Sequence, residues 1–112
     1  AALRRKAETG AREQEVRAAE QQVRQAEAGE RLAEVTFERI QRLHEDGVLP
    51  AQRRDEAEAH LNAARATATA ARALYEMARE GARIEDIEAA LAQERRAAAA
   101  LEEVDAILRE TR

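Results

Sequence analysis

The side chains that could carry chemistry in this chain are two histidines, 23 carboxylates and 19 basic residues; there is no cysteine. A zinc or general-base site needs histidines and carboxylates spaced to share one face, as when two histidines four apart flank a glutamate. His44 and His60 stand far apart, and no such run surrounds either. His44 falls at the expected end of a helix, where a partly charged imidazole complements the carbonyl dipoles. His60 reads as a solvated flank. Paired carboxylates acting as acid and base require a pocket, and nothing in the sequence builds one. The glutamates read instead as a solvated helix face. Arg53-Arg54 and Arg95-Arg96 are too short to make a nucleic-acid patch, and one Phe, one Tyr and no Trp leave no stacking platform. There is no glycine-rich phosphate loop. The sequence therefore predicts no enzyme, no metal, no cofactor and no nucleic-acid partner.

The elements that would position any site follow from composition. The 112 residues allow one domain. Alanine supplies 29 of the hydrophobic residues, while Leu, Ile, Val and Phe together number only 19. That is too little large apolar surface for a conventional globular core. Disorder is opposed by a net charge of only −4 and a single proline. Ala, Glu, Lys, Leu and Arg make up 76 residues, the composition of long helices packed as a coiled coil. No run approaches the ~20 apolar residues of a membrane-spanning helix. The chain does not begin with Met and reads as an excised segment.

One stop signal interrupts the helical pattern, Asp46-Gly47-Val48-Leu49-Pro50. Gly47 can adopt the left-handed conformation that ends a helix, and Pro50 suits the first turn of the next. With Gly47 just past the helix end, Val48 is expected to pack back on Leu43. A turn this short makes the flanking helices antiparallel neighbours. The expected architecture is all-α: a long antiparallel helical hairpin, a two-stranded coiled coil, forming one domain over residues 1–112. Its ascending leg covers about 11–45, its tip 46–50 and its descending leg about 51–112, with a break near 80–84.

The hydrophobic periods agree. Val16, Ala19, Val23, Ala26, Glu30, Ala33, Phe37 and Ile40 step by three and four, as do Ala57, Leu61, Ala64, Ala68, Ala71, Tyr75 and Ala78. Such seven-residue spacing marks a left-handed two-helix seam. A third stretch moves the expected seam to Ile84, Ile87, Leu91, Glu94, Ala98 and Leu101, then drifts onto Val104 and Leu108. On the first leg Glu13-Arg17, Glu20-Arg24 and Glu27-Arg31 recur as pairs four apart that support helicity. The alanine-rich seam buries little area, so the hairpin is expected to be thin and marginal by itself.

Gly10-Ala11-Arg12 and Gly81-Ala82-Arg83 open matching repeats, each continuing through an acidic residue to Val16-Arg17-Ala18-Ala19 or Ile87-Glu88-Ala89-Ala90. Folded about Gly47 and Val48, facing residue numbers sum to about 95, which sets the two repeats at one height on opposite legs. Breaks at Gly10 and Gly81 would make a hinge there; two glycines tolerated in continuous helices are the alternative, each costing ~1 kcal/mol relative to Ala. By the same sum Gly29 faces Ala66 in a close backbone approach.

At the tip, Leu43, Val48 and Leu49 set apolar side chains at the end of a polar rod. They either cap and staple the helices or form a docking surface, as loop tips on rigid scaffolds commonly do. The stretch from Arg39 to Ala57 resembles the hairpin tip of membrane fusion proteins, the HlyD-type periplasmic adaptor subunits of bacterial tripartite efflux and secretion systems. The family tip reads Arg, three residues, Leu, six residues, Ser, then Asp five further on and Ala two after that. Arg39, Leu43, Asp55 and Ala57 fall on this pattern, and Pro50 takes the serine position. The G-x-R-x-x-(D/E)-(I/V) repeat resembles a paired element of the branch that serves ABC-type exporters. Leu108-Arg109-Glu110-Thr111-Arg112 resembles the run into the second half of the family's lipoyl domain.

The resemblance implies a non-enzymatic hairpin in the periplasm of a Gram-negative bacterium, tethered to the inner membrane in the full-length protein. It implies that the hairpin bridges an inner-membrane transporter to a TolC-like outer-membrane channel, with six copies side by side. Arg39 and Leu43 would contact the channel, Gly47 would set the turn, and Val48 and Leu49 would add apolar contact. The alternative is a structural coiled-coil oligomerisation module with an inert turn.

Overall fold

The structure, a computed structural model, describes residues 2–111 apart from the side chains of Ala2 and Arg5. Arg112, at the end of the run that resembles the lipoyl approach, lies outside the described residues. The described chain holds two helices, α1 (Ala2–Glu45) and α2 (Ala51–Glu110), and no strand. It is the all-α antiparallel hairpin that the composition and the single turn predict. The chain divides into two compact units, Ala1–Arg79 and Glu80–Arg112.

In the first unit the seam runs where the period places it. Every position from Val16 to Ile40 in the predicted series is half-buried, and every position from Ala57 to Ala78 is half-buried or buried. Among the described residues only Ala57, Leu61 and Ala68 are buried, with Leu61 at 3% exposure the one large side chain among them. Alanine at most seam positions explains this: it permits close approach but removes little area from water. The polar interruption at Glu30 is resolved by charge, because its carboxylate reaches Arg72 of α2 at 3.9 Å.

Cross-helix ion pairs fix the register in the first unit, among them Arg65 to Glu34 at 3.8 Å, and Arg72 to Glu27 and Glu30, both at 3.9 Å. The first two pairs of residue numbers sum to 99 rather than the expected 95. Helical side chains lean toward their own N-terminus, so in antiparallel helices charged heads meet only when their backbone positions overshoot each other. Such exposed pairs contribute only about 0.2–1 kcal/mol each and serve alignment more than stability. Along α1, Glu13 pairs with Arg17 at 3.6 Å and Glu20 with Arg24 at 3.0 Å, as expected. Glu27 instead turns across to Arg72.

Gly10 and Gly81 both sit inside unbroken helix, and Gly47 is the only glycine with positive φ among the described residues. The helices thus follow the alternative of tolerated glycines, while the boundary between the two compact units falls at Arg79–Glu80, beside Gly81. An isolated glycine costs ~1 kcal/mol in a helix, which neighbouring alanines and glutamates readily carry. Gly29 does not make the close backbone approach expected of it: a methyl group there would meet no side chain, and no backbone beyond its own turn, within 4 Å. Gly29→Ala should therefore stabilise the hairpin by about 1 kcal/mol. Gly47→Ala, at φ 77°, should destabilise it by about 1–2 kcal/mol. Thermal melts of the two variants should move in opposite directions; a fall for Gly29→Ala would show that its face is covered.

In the second unit the half-buried residues are Gly81, Ala82, Glu85 and Ala92. The seam expected at Ile84, Ile87, Leu91 and Leu101 is not covered: the first three are 46% exposed and Leu101 is 69% exposed. Glu80 and Arg83 pair at 3.0 Å; the hydrogen bond from Arg83, and then its charge, hold the Glu80 carboxyl below its ordinary pKa.

Candidate docking tip

The tip is built by backbone hydrogen bonds. The Val48 amide donates to the Leu43 carbonyl at 2.8 Å and the Gly47 amide to the His44 carbonyl at 3.0 Å. Together these are the paired bonds of a Schellman ending, which left-handed Gly47 makes available. The Leu49 amide also reaches the Leu43 carbonyl, at 3.3 Å. Leu43, Val48 and Leu49 are thus gathered around one carbonyl oxygen.

His44 adds a bond that the sequence did not announce. Its Nδ1 lies 2.9 Å from the Leu49 carbonyl, in a part-buried setting. A carbonyl can only accept, so the proton must be on Nδ1, in the neutral tautomer or the imidazolium. The expected role of His44 beside the helix dipole is therefore joined by a second one, closing the loop from the end of α1. No sequence motif signals it, because a contact five residues away depends on the loop path.

Pro50 stands one residue before the assigned start of α2, and its carbonyl accepts the Arg53 amide at 3.1 Å. It is therefore at the N-cap rather than in the first turn. A serine at this position could cap a free amide; proline cannot. The first turn of α2 holds no acidic residue, while Arg53 and Arg54 sit there against the helix dipole. Arg54 is held by Asp55 at 3.1 Å.

The predicted tip residues do not present alike. Val48 is 64% exposed, so the expected packing on Leu43 leaves most of its side chain in solvent. Leu43 and Leu49 are half-buried. Arg39 lies one helical turn before Leu43, exposed, and has no carboxylate three or four residues away along α1. Gly10 and Gly81 are remote in sequence from this cluster and contribute nothing to it.

Below the tip, one side of the hairpin carries a groove of about 430 Å³. Leu32, Ala33, Thr36 and Ile40 line it from α1, and Arg53, Glu56 and His60 from α2. His60 is exposed, as its reading as a solvated flank expects, and also forms a wall of the groove. The sequence hid this because groove lining depends on which residues the two helices leave between them. Gly29, open on its free side, closes the lower end.

Among the described residues no three His, Cys, Asp or Glu side chains gather to hold a metal ion, and no helix is long and apolar enough to cross a membrane. At the tip, Val48 is exposed, and Arg39 is exposed one turn before Leu43.

No protein-family model matches the chain, and no solved structure matches it. The chain is 32% identical over 111 residues to the protein called 36 kDa antigen from Helicobacter pylori (strain ATCC 700392 / 26695), an alignment that covers 99% of the chain. It spans about a third, 34%, of that relative's length.

Proposed function

We propose that this hairpin is the α-helical part of a periplasmic adaptor, a membrane fusion protein of HlyD type, that docks through its tip on an outer-membrane channel of TolC type. The observation that carries the reading is the tip itself. A turn held by four backbone and side-chain bonds presents an exposed Val48. Arg39, Leu43, Asp55 and Ala57 on its flanks match the family pattern.

In this reading the hairpin works in the periplasm, tethered to the inner membrane in the full-length protein. It links an inner-membrane transporter, of ABC type, to the channel for efflux or secretion, with six copies side by side. Rigidity is what the task demands, since a preformed tip loses less freedom on docking. Arg39 supplies a directional cation for a helix end or carboxylate of the channel, while Val48 and Leu49 supply apolar area. A photo-reactive residue in place of Val48, in cells, should be trapped on an outer-membrane channel protein.

The second reading is a coiled-coil oligomerisation module with an inert turn. The exposed apolar side chains of the second unit favour it.

A further inference from the structure

The backbone ties the turn to α1 in one direction. The amides of Asp46, Gly47, Val48 and Leu49 each donate to a carbonyl in the last turn of α1, those of Arg42, His44 and, twice, Leu43. The next residue ends the series, because Pro50 has no amide hydrogen. The bonds of α2 begin with the Pro50 carbonyl, which accepts from Arg53. The Leu49 carbonyl is left outside both helices.

His44 supplies the missing tie. Its Nδ1 donates to that carbonyl at 2.9 Å, in a part-buried setting. Among the described residues it is the one side chain of α1 hydrogen-bonded to the turn; the neighbouring side-chain bonds stay within one helix. Holding the Leu49 carbonyl fixes the peptide plane between Leu49 and Pro50. Leu49 is half-buried there, while Val48 beside it is 64% exposed.

We propose that His44 is the positioning residue of the tip. Through its Nδ1–H bond to the Leu49 carbonyl it holds Val48 and Leu49 in the arrangement on which the outer-membrane channel protein docks. The inference rests on the docking reading and names the device that preforms the tip, since a loop ordered in advance loses less freedom on binding.

The bond makes a specific demand on the ring. A carbonyl only accepts, so a neutral ring must carry its hydrogen on Nδ1. Asparagine bears its amide nitrogen on Cγ, where Nδ1 stands, and can take over the bond. Glutamine bears its nitrogen one atom further out, near the place of Nε2, and cannot. Glutamine is nevertheless the better helix former. A role in helix stability alone would favour glutamine at position 44; a positioning role favours asparagine.

Two measurements on one set of variants test this. In the 112-residue chain, nitrogen NMR at a pH where the rings are neutral should find His44 protonated on Nδ1, with exposed His60 averaging between tautomers as the control. Amide exchange at Val48 and Leu49 should be roughly two- to tenfold faster in His44→Ala and His44→Gln than in wild type, and near wild type in His44→Asn. In cells, the channel protein trapped by a photo-reactive residue in place of Val48 should fall by a similar factor in His44→Ala and His44→Gln and recover in His44→Asn. A neutral ring protonated on Nε2, exchange indifferent to His44→Ala, or asparagine no better than glutamine would overturn the proposal. A wild type that traps no channel protein would overturn the docking reading and this proposal together. Trapping in the wild type that persists undiminished in His44→Gln would overturn this proposal alone.

Discussion

Leu61→Ala should lower the stability of the hairpin by about 2–3 kcal/mol, roughly 10–20 °C in melting temperature. The reason is how little the seam contains. Leu61 is the one large side chain that is buried among the described residues, and its neighbours along α2, Ala57, Ala64 and Ala68, are too small to close over the space it leaves. In a core of many leucines the loss would be shared; here it falls on one residue. Leu74, at 54% exposure on the same helix, is the internal control, and Leu74→Ala should stay within about 0.5 kcal/mol of wild type. Equal effects from the two substitutions, in urea or thermal melts, would mean that the seam does not hold the hairpin together.

Arg39→Asp should abolish export in cells while leaving the helical content of the protein unchanged. Arg39 is exposed, and its removal breaks no ion pair on α1. Aspartate would sit three residues from Arg42, a spacing that helices tolerate well. If the channel meets Arg39 with a desolvated acceptor, reversal of its charge should cost docking about 2–5 kcal/mol, or roughly 30-fold and more in affinity. Arg39→Lys should keep part of the function, since lysine retains the charge but loses the planar fork. Export at the wild-type level from Arg39→Asp would remove Arg39 from the docking surface.

The seam from Val16 to Ile40 and from Ala57 to Ala78 was legible because a heptad period is a property of the helix itself. The turn was legible for a similar reason: Gly47 has a local conformational requirement, and the Schellman bonds follow from it. The reading failed where the outcome depended on phase over distance. Ile84, Ile87 and Leu91 are the largest apolar residues of their segment, which drew the expected seam onto them. The helix runs through Gly81 unbroken, however, and all three remain 46% exposed. Gly29 misled in the same way, since a missing side chain implies close packing only when something stands opposite. Among the tip residues, their gathering around the Leu43 carbonyl followed from the turn, whereas the His44 bond to Leu49 and the place of His60 on the groove depended on three-dimensional paths. Glu27 and Glu30 show the competition plainly. Local spacing offers Glu27 a partner in Arg31, while the opposite helix offers both glutamates Arg72.

Photo-crosslinking at the tip tests the central claim most directly. A photo-reactive residue replaces Val48 in one strain and Met77, exposed on the side of α2, in another. After irradiation of intact cells, mass spectrometry identifies what each has trapped. Docking through the tip predicts an outer-membrane channel protein joined to the Val48 position and absent from the Met77 position. Trapping only of sister copies at Val48, or the same partners at both positions, would contradict it and leave the turn a structural cap.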